Sequence, residues 1–242
     1  LTIVFSVVYL VLYPGLGAFA GTRKWTSADQ LRADIEAHNA RLAPVFARFA
    51  SLPIDQLAQD PEALALGRSV FANNCATCHG SDARGARGYP NLTDGEWLWG
   101  GDADAIVATI TKGRSAVMPA LGGALGADGV AATAAFVQSL AGVAADPGLV
   151  RAGEIHFKTL CVACHGPDGK GNPLLGAPNL TDGTWLYGED FASISASIAN
   201  GRNGQMPAQE PIIGIDRARL AAAWVYSLRG TGQAAEGAGG GR

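Results

Sequence analysis

The chain has 242 residues, 48% of them hydrophobic and 16% charged, with a formal net charge of −3. That length suits about two domains at roughly 100–150 residues each, and the slight acidity, without any Lys/Arg-rich run, argues against nucleic-acid binding. The 33 glycines favour small, loop-rich domains over long helical bundles.

From Leu1 to Tyr13 the chain is uncharged and rich in Val, Leu and Ile. A helix that crosses a bilayer needs about 20 such residues, and Pro14, Gly15 and Gly17 end this one early. The expectation is a transmembrane anchor over residues 1–22 whose beginning precedes Leu1. The alternative is a cleaved signal peptide, with "AFA" at 18–20 as its small-residue cleavage site. Tyr13, Lys24 and Trp25 then lie at the membrane interface, where aromatic and snorkelling side chains are favoured. Residues 23–59 form a connecting amphipathic helical segment. Ser27 with Gln30 reads as a capping-box start, and Leu31, Ile35, Leu42, Val45 and Phe49 draw an apolar stripe, with Pro44 as a kink or break.

Next come two copies of one unit, at 60–141 and 146–230, joined by a short linker. Asp60-Pro61 and Asp146-Pro147 are N-cap and first-turn signals. Each starts a helix that runs into "CATCH" at 75–79 or "CVACH" at 161–165. The copies run 86 apart up to the cysteines (161 − 75 = 86) and 88 apart beyond them (178 − 90 = 88), because the second loop is longer. "PNLTDGEWLWG" at 90–100 returns as "PNLTDGTWLYG" at 178–188, and Gly113-Arg114 and Met118-Pro119 return as Gly201-Arg202 and Met206-Pro207. Glycine- and proline-rich loops form the walls of a cofactor pocket. In the closing helix Val130, Thr133, Ala134, Val137 and Leu140 recur at helical spacing. The glycine-rich tail, residues 231–242, reads as disordered.

All four cysteines lie in C-x-x-C-H motifs, leaving none for a disulfide. This spacing attaches a c-type haem: two thiols form thioethers and the histidine ligates iron. Zinc needs further ligands, and outside the motifs only His38 and His156 remain. The motifs therefore predict two c-type haems, held by Cys75 and Cys78 with His79, and by Cys161 and Cys164 with His165. The chain's two methionines follow these histidines at 118 − 79 = 39 and 206 − 165 = 41 residues. Each is expected as the sixth iron ligand beside the histidine of its own copy, a thioether being a soft ligand suited to low-spin haem. His38 and His156 are rivals, but His156 corresponds to Val70 in the first copy, so a ligand role there breaks the repeat. With both irons closed, the chain carries electrons and holds no catalytic residue.

Further pocket residues follow from the repeat. The carbonyls of Pro90 and Pro178 are expected to accept from the second ring nitrogen of each haem histidine. Leu92 and Leu180 line the haem face or the ordinary core. Arg114 and Arg202 are placed to pair with propionates. Trp97 and Trp185 offer an indole N–H to a propionate, with core packing as the alternative.

The anchor-proximal "YPGLGAFAGTRKWTS", the paired C-x-x-C-H motifs and the doubled "PNLTDGxWLxG" loops resemble the membrane-anchored dihaem cytochrome c subunit of cbb3-type haem–copper oxidases. Each copy also resembles the class I cytochrome c fold, in which Gly67/Phe71 and Gly153/Phe157 pack against a closing helix near Phe136 and Trp224. The resemblance implies a mainly α protein, an N-terminal transmembrane helix followed by two tandem class I cytochrome c domains. It implies a place in the bacterial cytoplasmic (inner) membrane with the haem domains on the periplasmic side. Electrons then pass from a donor cytochrome c to the monohaem cytochrome subunit and the catalytic haem–copper subunit, where oxygen is reduced and protons are pumped. The alternatives are a dihaem cytochrome subunit of a membrane-bound dehydrogenase, or a dihaem redox enzyme such as a peroxidase.

Overall fold

The computed structural model describes residues 1–15 and 20–231. The "AFA" site falls mostly outside the described residues, and the glycine-rich tail lies almost wholly outside them. The chain divides into two compact units, Leu1–Ser51 and the remainder from Leu52.

The first unit is two helices. The first, α1 (Thr2–Leu12), has 11 residues and none of them is buried. Its aromatic side chains stack along one edge, Tyr9 on Tyr13 with ring centroids 4.8 Å apart, and Trp25 meets Tyr13 edge-on at 5.9 Å. No helix among the described residues is long and apolar enough to cross a membrane. In α2 (Ser27–Phe49) the cap is Thr26, one residue before the expected Ser27: its hydroxyl accepts from the Asp29 amide at 3.0 Å. Gln30 instead takes the Trp25 indole N–H and donates to Asp34. Pro44 sits inside α2 without ending it.

The second unit begins with α3 (Ile54–Leu57) and α4 (Pro61–Asn74), followed by α5 (Ala76–His79), α6 (Ala103–Lys112), β1 (Arg114–Met118) and α7 (Gly122–Leu140). The series then repeats as α8 (Pro147–Leu160), α9 (Val162–His165), α10 (Phe191–Asn200), β2 (Arg202–Met206), α11 (Glu210–Ile213) and α12 (Ile215–Ser227). Both Asp-Pro signals cap as expected. The Asp60 carboxylate accepts from the amides of Glu62 and Ala63, and Asp146 from those of Gly148 and Leu149.

Packing does not follow the two successive copies. The closing helix α7 of the first copy packs on α8 and α10 of the second, whereas α12 of the second copy packs on α4 and α6 of the first and on α3 just before it. Phe157 meets Phe136 at 5.1 Å between ring centroids, and Phe71 meets Trp224 at 4.5 Å. The domain division at 60–141 and 146–230 thus describes the duplication but not the packing groups. The cause is the connection: only residues 141–146 separate α7 from α8, and helices joined by so short a loop lie side by side and antiparallel. Two glycines allow the close approach. A Cβ on Gly153 would run into the backbone of Ala132, and one on Gly67 into the backbone of Leu220.

The exchange passes through a two-stranded antiparallel ribbon, which a mainly helical reading of the sequence does not include. Its register pairs Arg114 with Met206, Ala116 with Gly204 and Met118 with Arg202. Each strand is then clipped to the helix it reaches: Leu121 N–H donates to the Ile198 carbonyl and Gln209 N–H to that of Ile110, both at 2.9 Å.

The crossed contact makes a specific stability forecast. Gly153→Ala is expected to cost about 1–3 kcal/mol through overpacking against α7, read as a lower denaturation midpoint. The same substitution at Gly123, where a Cβ meets open space, should leave that midpoint nearly unchanged.

Candidate functional site

Helix α4 delivers the first motif. Cys75 closes it, its amide donating to the Phe71 carbonyl at 2.8 Å, and the single turn of α5 then places Cys78 and His79. The second motif repeats this around Cys161, with the Phe157 carbonyl accepting at 2.9 Å. In both, the first cysteine is half-buried and the second exposed. Burial, and then the neighbouring thiol, pushes the Cys75 and Cys161 thiols up.

Both motif histidines are buried. The His79 Nδ1–H donates to the Pro90 carbonyl at 3.2 Å, and that of His165 to the Pro178 carbonyl at 3.1 Å. Burial lowers both ring pKa values, and the carbonyls partly oppose it. The result is a neutral imidazole with its proton held on Nδ1, so Nε2 presents a lone pair, the arrangement that a metal-binding histidine needs. Thiols at thioether spacing beside such a ring fit c-type haem. Phe71 and Tyr89 flank the His79 ring at 6.5 and 6.4 Å. The second copy has Ala177 at the place of Tyr89.

The opposite wall is where the interleaving matters. Met118 packs with Leu180, Trp185 and Cys161 against the core of Phe157, Val130, Ile194 and Ile198. It therefore lies with Cys161 of the second motif. Met206 enters the other group: its strand runs into α11 and α12, which pack on α6, and α12 also packs on α4. Each methionine-bearing strand thus leads into helices that pack on the other copy, for the same reason as the helix packing. Leu180 and Trp185 pack against the same core cluster, and Leu92 and Trp97 are half-buried at the equivalent places.

Arg114 and Arg202 are half-buried on the ribbon. Their guanidinium carbons lie 4.9 Å from the Trp99 ring centre and 4.2 Å from that of Tyr187, respectively. The sequence reading passed over these two aromatics, although they recur in register (187 − 99 = 88). His38 is exposed on α2, and His156 lies beside Gly129 of α7. The two copies also meet through their loops. Arg87 donates to Ser193 Oγ at 3.0 Å and Gly88 N–H to the Leu186 carbonyl at 2.8 Å. Glu96 faces Asp182, and its pKa is raised first by desolvation and then by that carboxylate.

With this geometry in hand, likeness to other proteins is informative. The family model for cytochrome c oxidase, cbb3-type, subunit III matches residues 62–137 and again 148–226. A Rubrivivax gelatinosus protein named cbb3-type cytochrome c oxidase subunit CcoP is 46% identical over 231 residues, covering 95% of this chain and 76% of that protein. A Bradyrhizobium (strain ORS 278) subunit FixP is 39% identical, covering 95% and 86%, and a Cereibacter sphaeroides CcoP is 36% identical with the same coverage. Two matched segments, each containing one C-x-x-C-H motif with its carbonyl-held histidine, leave one conclusion: this chain belongs to the family of cbb3-type cytochrome c oxidase subunit III.

Proposed function

We infer that this chain is the electron-carrying cytochrome subunit of a cbb3-type oxidase and holds two c-type haems. The observation that carries this reading is the duplicated proximal geometry, in which each motif histidine is buried and oriented by a proline carbonyl. Bound haem supplies a one-electron iron couple. The protein's own part is to tether it through Cys75 and Cys78 or Cys161 and Cys164, to present His79 or His165, and to close the far side with a thioether. Packing supports a crossed assignment of those thioethers: Met206 with His79, and Met118 with His165. Closed sites favour electron transfer over peroxidase chemistry, and the likeness to CcoP and FixP favours an oxidase over a dehydrogenase.

The remaining subunits follow from the same likeness. Electrons enter from a donor cytochrome c and leave towards the monohaem cytochrome and the catalytic haem–copper subunit. The uncharged, largely apolar α1, in which no residue is buried, suits part of a membrane anchor, with the haem domains on the periplasmic side of the bacterial inner membrane. Purification of the complex in mild detergent through a tag on this chain tests the whole reading. Co-purified b-type haem and copper with cytochrome c-dependent oxygen uptake are expected; c-type haem alone, or an attached dehydrogenase, contradicts it.

Two variants address the sites. Met118→Ala should lower one haem's potential and admit carbon monoxide to it. Further removal of Cys161 and Cys164 should abolish that binding, while removal of Cys75 and Cys78 should spare it; the reverse dependence contradicts crossed ligation. Replacing Cys75 and Cys78 with alanine should halve the covalent haem content, measured by pyridine haemochrome. Undiminished haem would refute attachment there.

A further inference from the structure

The ribbon carries more than its methionines. Strand alternation puts Arg114, Ala116 and Met118, together with Arg202, Gly204 and Met206, on the half-buried face, while Ser115, Val117, Asn203 and Gln205 are exposed. Register then sets Arg114 opposite Met206 and Arg202 opposite Met118. Each end of the ribbon presents one guanidinium and one thioether, contributed by different strands. At one end Arg114 and Met206 line a common open cleft.

Neither guanidinium is loosely held. Arg114 donates Nε–H to Thr109 Oγ1 at 2.8 Å and a terminal N–H to the Ala105 carbonyl at 3.4 Å. Arg202 donates Nε–H and a terminal N–H to Ser197 Oγ at 3.0 and 2.8 Å. The aromatic faces of Trp99 and Tyr187 complete the two mounts. Every one of these partners is neutral, and among the described residues no carboxylate forms an ion pair with either cation. A partly desolvated charge without a counter-charge is costly, whereas a fixed guanidinium fork matches a carboxylate closely. Beside a haem pocket, the missing carboxylate is one that the bound group itself brings.

We propose that Arg114 pairs with a propionate of the haem ligated by Met206, and Arg202 with a propionate of the haem ligated by Met118. The assignment rests on the crossed ligation inferred above. Each strand then serves both sites, one with its leading arginine and the other with its closing methionine. A fixed cation near an iron favours the less positive, reduced state, so these arginines raise the potential of the site that they face.

Spectroelectrochemical titration of the intact, haem-loaded chain tests this with Arg114→Gln and Arg114→Lys, each placed in Met118→Ala and Met206→Ala backgrounds. In Met118→Ala, Arg114→Gln is expected to shift the remaining methionine-ligated haem about tenfold towards the oxidised form at fixed potential, equal to about 59 mV for a one-electron couple. Arg114→Lys should recover most of that shift. In Met206→Ala, Arg114→Gln should leave the remaining methionine-ligated haem unmoved. A shift in Met206→Ala instead, or none in either background, overturns the assignment. Equal shifts for Gln and Lys overturn the ion pair in favour of packing. Carbon monoxide binding to the methionine variants, measured without any arginine change, decides the ligation reading separately.

Discussion

The short connection between α7 and α8 is the constraint from which the rest of the second unit follows. Residues 141–146 are too few to carry the chain across a cytochrome domain and back, so α7 must lie against the helix that comes next. That helix is α8, the opening element of the other copy. It accepts α7 because duplication gave it the same surface as α4: a glycine for close approach, and a phenylalanine one turn on. Helix α4 is then left for α12. The two contacts are chemically equivalent, and connectivity alone chooses between them.

Interleaving makes the ribbon unavoidable. Once each closing helix belongs to the opposite haem motif, β1 and β2 must pass one another, and antiparallel pairing satisfies their backbone groups. The small pair Ala116 and Gly204 sits at the crossing, between two ends that each carry a methionine and an arginine. The two sites are therefore joined through one short element as well as through the loop contacts of Arg87 and Gly88. Separate domains on a flexible tether would hold their cofactors independently. Here a disturbance of one strand touches both pockets.

The proximal and distal walls are built on different principles. Each proximal wall is local: cysteines, histidine and proline carbonyl lie within 18 residues of one another in either copy, from Cys75 to Pro90 or from Cys161 to Pro178. Its geometry comes from a helix end, one further turn and a loop that folds back. Each distal wall is non-local, and it depends on a strand and helix from the other copy. Haem attachment at a C-x-x-C-H motif draws on the first kind of wall alone, whereas the proposed closure by a methionine draws on both copies.

This division also separates what could be read from the chain alone. The paired motifs, the Asp-Pro caps and the Pro90 and Pro178 acceptors were legible because each depends on near neighbours or on register within the repeat. The Thr26 cap, the ribbon, the mounts of Arg114 and Arg202 on Trp99 and Tyr187, and the pocket that each methionine enters were not. A duplicated sequence presents two identical partners to every closing helix, so no pattern of residues distinguishes pairing within a copy from pairing between copies. By itself the sequence determined the chemistry of the sites, since thiol, imidazole and thioether are properties of residue type. Only the tertiary structure decided which of them meet, because that choice lies in the reach of a short linker and the steric fit of helices far apart in the chain.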